Sequence, residues 1–133
     1  MAAVLVALAG GAWWLRSEHV PEEAKGVAQQ FLRLLAANQF GEAHELTVEG
    51  GAIGRTPAEL EAMARRELCR VDRVASTFPF QSNGNRLRRR FSGVEVEMPR
   101  VEVEFAGACL LGVTVERTQD KQWRVAKFAG HAG

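Results

Sequence analysis

Few side chains in this sequence of 133 residues have the type and position needed for acid–base chemistry. Proton transfer beside a carbonyl needs a base near the substrate carbon and a donor for the oxyanion. Asp120 falls in a predicted loop, whereas Asp72 falls in a predicted strand and is therefore the candidate base. Its neighbours Arg70 and Arg73 make an ordinary surface ion pair the favoured interpretation.

The three histidines are His19, His44 and His131, and none is spaced with another for metal ligation. His44, beside Glu45 in a short predicted helix, is the histidine best placed to enter a site. The sequence also lacks glycine-rich phosphate loops, nucleophilic serine motifs and metal cages. We therefore expect no catalytic residue, no metal ligand and no cofactor.

Composition indicates an ordinary folded domain with one pair of cysteines. Hydrophobic residues make up 47% of the chain and charged residues 25%, and a net charge of +1 does not point to a nucleic-acid partner. Cys69 and Cys109 are the two cysteines, and neither has a metal-binding spacing. Outside the cytoplasm they could form one disulfide, whereas in a reducing cytosol they would be small core residues. The sequence leaves both alternatives open.

The densest run of charge consists of Arg86, Arg88, Arg89 and Arg90, and such a run can bind phosphate or nucleic acid. We predict a strand from Leu87 to Met98, on which alternation places Arg88 and Arg90 on one face. A solvated, ion-paired sheet face is favoured over an acidic protein partner or lipid headgroups. Nucleic acid is disfavoured because no aromatic residues interleave with the arginines.

Phe78 and Phe80 flank Pro79 at the end of a predicted strand. Both rings are difficult to bury there, so one of them could be exposed and contact a protein partner. The alternative is that both rings pack against other apolar side chains in the core and at its edge. Phe78, Phe80, Arg88 and Arg90 are therefore the candidate partner surface.

Residues 1–15 contain no charged side chain, and Arg16 ends the apolar run. A membrane span needs about 20 apolar residues, and a secretory signal begins with a basic region that is missing here. Trp13 and Trp14 suit the aromatic belt at the end of a membrane anchor. An anchor with a clipped start is the favoured interpretation, and a cleaved signal or a buried helix of a soluble protein are the alternatives. In the first two cases the folded part lies outside the cytoplasm.

Apolar spacing predicts helices in the first half of the chain and strands in the second. A long helix from Pro21 is followed by a short one at 42–46. The segment Thr56-Pro57-Ala58-Glu59 is a capping box that begins a third helix. From Arg70 the apolar period changes to two, and a loop at 118–122 leads into a cleanly alternating strand at 123–128.

Helices followed by an antiparallel sheet indicate an α+β fold with the helices on one face of the sheet. We expect four segments, namely an apolar segment at 1–16, a linker at 17–20, one α+β domain at 21–129 and a tail at 130–133.

The chain from Pro21 to Phe128 resembles the nuclear-transport-factor-2-like (cystatin-like) superfamily. The resemblance is carried by the long and short helices within 31–43, by Thr56–Leu60, and by the closing hairpin with Trp123-Arg124-Val125. In that family a curved sheet wraps a helix to form a cone with a cavity. The resemblance implies a cone-like sheet, with Asp72 and His44 as polar contacts of the cavity. Enzymes of the superfamily work with Asp, Tyr or His groups inside the cone, and this chain has no tyrosine.

Many bacterial members of that superfamily are small secreted or membrane-anchored domains. We therefore expect a non-catalytic accessory domain in the periplasm of a bacterial cell, anchored in the inner membrane or else secreted. It would bind a protein partner or itself, and could be a subunit of a membrane assembly. The alternative is a small-molecule binder or a degenerate enzyme that uses the cone cavity. A polar, open cavity holding Asp72 would favour this alternative, whereas a cone filled with Phe and Leu would favour the accessory domain.

Overall fold

The computed structural model describes residues 1–131, and this part of the chain has the predicted α+β fold. In chain order the elements are α1 (Ala2–Arg16), α2 (Glu22–Ala36), α3 (Phe40–Glu45), α4 (Pro57–Glu67), β1 (Val71–Phe78), α5 (Asn83–Phe91), β2 (Arg100–Gly107), β3 (Leu110–Arg117) and β4 (Trp123–His131). They fall into two units. The first unit contains residues 1–20 and 79–98, and the second contains residues 21–78 and the chain from 99 onward. The domain expected at 21–129 therefore includes a segment, 79–98, that the structure groups with the N-terminal helix.

The second unit contains a four-stranded antiparallel sheet in the order β1-β2-β3-β4. Val101, Val103 and Phe105 alternate along β2 and are buried, as their period of two predicts. The pairing of β2 with β3 runs in continuous register, whereas the pairing of the edge strand β1 with β2 shifts register at two places. Such bulges are common in edge strands, where they limit further pairing.

Helix α2 supplies the main apolar contact to this sheet, touching β2, β3 and β4. The helix buries one side, formed by Ala24, Ala28, Phe31, Leu32 and Leu35. The Phe31 ring meets the Phe128 ring of β4 edge to face at a centroid distance of 5.4 Å. Glu22 and Glu23 occupy the first turn of α2, where their negative charges complement the helix dipole. These contacts form the core of the second unit.

The predicted capping of the third helix is confirmed in part. The Thr56 hydroxyl accepts a hydrogen bond from the Glu59 backbone N–H at 3.3 Å, and Pro57 is the first helical residue of α4. The Glu59 carboxylate was expected to return to the Thr56 amide, but it accepts from the Arg55 backbone N–H instead. The carboxylate therefore extends the cap by one residue into the preceding loop.

The first unit contradicts the strand predicted from Leu87 to Met98. Its first part is helical in α5, and 92–98 form turns and irregular backbone. The Ser82 hydroxyl caps α5 by accepting from the Asn85 backbone N–H at 3.2 Å. Gly93, which follows the C-terminal Ser92, has a φ of 70° and allows the chain to leave the helix. The Arg-rich run is therefore on a helix.

Strand β4 differs in two ways from its sequence pattern. Val125 and Phe128 are both buried although they are three residues apart, because a register shift lies between the pairs Thr114–Lys127 and Val115–Val125. The strand also continues to His131, into the segment expected to be a tail. The remaining tail residues, 132 and 133, lie outside the described part of the chain.

Candidate functional site

A cavity of about 570 Å³ in the second unit is lined by α2, by the start of β1 and by Phe105 of β2. Apolar lining residues such as Leu32 stand beside four charged ones, which are Arg33, Arg70, Asp72 and Arg73. A cavity with apolar walls and a few charged groups is a usual form of small-molecule site. The excess of guanidinium groups favours an anionic ligand with an apolar body.

Asp72 lines this cavity but is largely in contact with water. Its Oδ1 accepts a hydrogen bond from Arg73 Nη1 at 3.3 Å, and 61% of its side chain is exposed. A general base is usually withdrawn from water and aimed at its substrate, whereas an exposed ion pair of neighbouring residues is common on protein surfaces. Its position supports contact with a ligand better than proton transfer.

His44 lines a different cavity, of about 450 Å³, beside the loop that follows α3. Its Nε2 lies 3.2 Å from the carbonyl oxygen of Gly54, a contact that holds this loop near the helix. Asp72 is not among the residues that line the His44 cavity, nor is His44 among those of the larger one. The two residues expected to share one cavity are therefore apart.

Glu102, Glu104 and His131 form a cluster that sequence spacing did not indicate. One ligand atom from each residue lies within 4.8 Å of the others, and Glu102 Oε1 is 3.8 Å from His131 Nε2. Gly112 leaves the room for this approach, because a Cβ there would lie 3.0 Å from both of those atoms. Two carboxylates and an imidazole can ligate a divalent cation, although exposed acidic groups also meet without one. The alternation of Glu102 and Glu104 was visible in the sequence, but the strand pairing that brings His131 to them was not.

The structure joins Cys69, just after α4, to Cys109, in the turn between β2 and β3, in a disulfide. Their Cα atoms are 6.1 Å apart, and the bond closes a chain segment with a sequence separation of 40. Cys69 also lines the larger cavity. The disulfide therefore fixes one wall of that cavity to the sheet.

The residues expected to form a partner surface lie on different elements. Phe78 ends β1 in the second unit and is 50% exposed, while Phe80 in the first unit is 61% exposed. Arg88 and Arg90 are both exposed on α5. Two residues that share a strand face lie about 160° apart around a helix, so the expectation that these arginines share one face is wrong.

Helix α1 presents apolar side chains to the solvent on every side. None of its residues is buried, and the most exposed include Trp13 at 74% and Val6 at 72%. Its C-terminal end meets α5, where the Asn83 Nδ2 donates to the Trp14 carbonyl oxygen at 3.1 Å. No helix within residues 1–131 is both long and apolar enough to cross a membrane.

Two carboxyl groups have lowered pKa values for local reasons. Hydrogen bonds from the Gly130 backbone N–H and from Arg66 lower the pKa of Glu67, and a hydrogen bond from the Thr118 hydroxyl lowers that of Asp120. All three hydrogen bonds favour the ionised form of the carboxylate that accepts them. Neither group lines the two cavities of the second unit, so these shifts belong to structural contacts.

Comparisons with known proteins identify no relative of the chain. No protein-family model, no curated protein and no solved structure matches the chain.

Proposed function

We propose that the protein is a non-catalytic accessory domain that α1 attaches to a bacterial inner membrane. The observation that carries the proposal is the exposure of apolar side chains all around α1. A helix that is apolar on every side is normally buried in a membrane or in other protein. Its 15 residues span about 22 Å, less than the hydrocarbon thickness of about 30 Å. The proposal therefore requires α1 to insert, and does not require these residues to cross the bilayer alone.

The folded part lies on the periplasmic side in this proposal, and a secreted form is the alternative. The Cys69–Cys109 bond supports an extracytoplasmic location because disulfides persist mainly in oxidising compartments. Trp13 and Trp14, at the end of α1, have the amphipathic rings that favour the membrane–water interface. This arrangement places the interface next to Ser17, where α1 ends.

A cone-like sheet of the nuclear-transport-factor-2-like kind is part of the proposal. The order of three helices and then antiparallel strands in the second unit supports it, as does the contact of α2 with the sheet. The separation of Asp72 from His44 supports a binding role over catalysis. Exposed Phe78 supports contact with a protein partner or a second copy, because exposed aromatic residues are common anchors of interfaces.

The experiment is intact mass measurement on separated membrane and soluble fractions, with thiol alkylation under denaturing conditions. We expect the chain in the membrane fraction, with Cys69 and Cys109 alkylated only after reduction. The variant Leu5→Lys/Leu8→Lys should move to the soluble fraction, since each lysine costs about 2.5–3.5 kcal/mol at the centre of a membrane helix. The control Gln39→Lys/Ala62→Lys adds the same charge at exposed positions of the second unit and should stay in the membrane fraction.

Soluble wild-type chain with two free thiols would contradict both the attachment and the compartment. Protein binding is tested separately by chemical cross-linking of the membrane-bound chain. A discrete heavier species is expected, and its mass distinguishes a second copy from another protein. A cross-linked chain that remains monomeric at every reagent concentration would contradict protein binding.

The second candidate function is small-molecule binding in the cavity of the second unit. Its volume of about 570 Å³, with Asp72 and three arginines on apolar walls, is the observation that favours it. The ligand would be a small anion with an apolar body, and His44 would take no part. Soluble chain with free thiols in the fractionation experiment would make this the leading function.

A further inference from the structure

Helix α5 carries an exposed apolar stripe that consists of two residues. Leu87 and Phe91 are four residues apart and therefore lie on one side of the helix. Phe91 is 82% exposed and Leu87 is 37% exposed. Adjoining apolar side chains that are exposed together, with polar residues around them, are typical of a surface that contacts a protein or a membrane.

The four arginines of α5 divide into two pairs. Arg86 Nη2 donates to Glu97 Oε1 at 2.6 Å, and Arg89 Nε donates to the Glu95 carbonyl oxygen at 2.7 Å. These contacts hold the segment after the helix against it. The other two arginines of α5 take no part in these contacts.

Arg88 and Arg90 are the second pair, and both are exposed. Neither forms an ion pair with any residue of the described chain, 1–131. At about 100° per residue, Arg90 lies about 60° to one side of Leu87, and Arg88 lies about 60° to the other side of Phe91. The apolar stripe is thus bordered by a guanidinium group on each side.

The apolar helix α1 ends against the beginning of α5 in the same unit. The Asn83 backbone N–H donates to the Ser17 carbonyl oxygen at 3.0 Å. Gly84 permits a close approach, because a Cβ there would lie 2.9 Å from the Leu15 carbonyl oxygen. The end of α1 that carries Trp13 and Trp14 is therefore fixed beside α5.

We propose that Leu87, Arg88, Arg90 and Phe91 form a docking surface for an anionic phospholipid membrane. The proposal rests on the membrane attachment of α1 in the proposed function. With α1 inserted and its tryptophans at the interface, α5 lies at the depth of the headgroups. Guanidinium groups bind phosphate oxygens through paired N–H donors, and the apolar stripe contacts the acyl boundary.

The charge of the first unit supports a lipid surface as the occupant. This unit contains five arginines and three glutamates, a net charge of +2, whereas the whole chain has a net charge of +1. Positive charge is therefore concentrated in the unit that contains α1. An anionic leaflet attracts basic residues within a Debye length of its surface, which requires the close placement that α1 provides.

The test is flotation of the full chain with two kinds of vesicle, phosphatidylcholine alone and phosphatidylcholine mixed with phosphatidylglycerol. We expect binding to the mixed vesicles to be about thirtyfold tighter at low salt. Arg88→Gln/Arg90→Gln should lose this preference and keep the binding to phosphatidylcholine. The control Arg65→Gln/Arg66→Gln removes two exposed charges from α4 and should keep the preference.

A second variant, Phe91→Ser, keeps the charge and should weaken binding to both kinds of vesicle. Unchanged helix content by circular dichroism shows that each variant folds. Wild-type chain that binds both vesicles equally well would overturn this inference and leave the attachment of α1 intact. A preference that survives in Arg88→Gln/Arg90→Gln would overturn it too, and wild-type chain that binds neither vesicle would overturn both proposals. If the wild-type chain binds an acidic protein and shows no preference for anionic vesicles, the surface would be assigned to a protein partner instead.

Discussion

At the scale of single residues, a carboxylate in the second unit joins α4 to β4. Glu67 Oε2 accepts from the Gly130 backbone N–H at 3.1 Å, and the same carboxylate meets Arg66. Both contacts favour its ionised form and lower its pKa below the ordinary 4.5. A single carboxylate thus fixes the end of a helix to the last strand.

Glu67→Gln should destabilise the fold near neutral pH and have little effect in acid. The folded-state pKa of Glu67 is lowered, so its contribution is present above the ordinary carboxyl pKa and is lost as the pH falls through the folded-state value. The measurement is urea unfolding of wild type and variant at several pH values. The control is Glu61→Gln, since the Glu61 carboxylate bonds Arg65 on its own helix. A stability difference that does not change with pH would contradict the expectation.

The sequence identified the polar residues of the second unit but not their grouping. Asp72 forms an ion pair with Arg73, as its neighbours in the sequence indicated, and the structure adds that its strand is at the edge of the sheet. Asp72 and His44 line different cavities, and the contact of His44 with the Gly54 carbonyl oxygen depends on the fold of a loop, which local spacing does not encode. The meeting of His131 with Glu102 depends on strand pairing over long sequence separations, and Gly112 acts there only through the space it leaves.

At the scale of elements, α5 shows how the same residues can support two interpretations. The composition of Ser82-Asn83-Gly84-Asn85 is typical of a turn, and Gly93 lies within the strand predicted from Leu87 to Met98. In the structure Ser82 is the N-cap and Gly93 has the positive φ typical of the residue after a helix. The long helix was predictable from its apolar spacing, and the third helix was predictable from its capping box. In α5 the arginines mask the period, since only Leu87 and Phe91 mark its apolar side.

Ser82→Ala should cost about 1 kcal/mol in the stability of α5, because one backbone N–H at its start loses its acceptor. Hydrogen exchange of the α5 amides measures this local effect without requiring global unfolding. The matched control is Ser92→Ala at the other end of the helix, where the backbone N–H, not the side chain, makes the contact. If the segment were the strand that alternation predicted, the two substitutions would have equally small effects.

At the scale of the whole chain, the disulfide connects the fold to the proposed compartment. The bond links two places that are 40 residues apart in sequence, and the segment between them includes β1, α5 and β2. Closing a segment of this length removes conformational freedom from the unfolded chain. The α+β class could be predicted from the order of helical and strand periodicities. The pairing of the cysteines could not, because it depends on the tertiary structure, which places the turn between β2 and β3 beside the end of α4.

Loss of the disulfide should lower the free energy of unfolding by about 4 kcal/mol, the value expected from chain entropy for a closed segment of this length. The measurement is guanidinium unfolding of the wild type with and without reductant, beside Cys69→Ser/Cys109→Ser. Reduced wild type should match the variant, and the variant should not respond to reductant. Wild type that unfolds at the same denaturant concentration with and without reductant would show that the thiols are free in the folded protein. The reducing cytoplasm would then not lower the stability of the chain, and the main support for a periplasmic location would be lost.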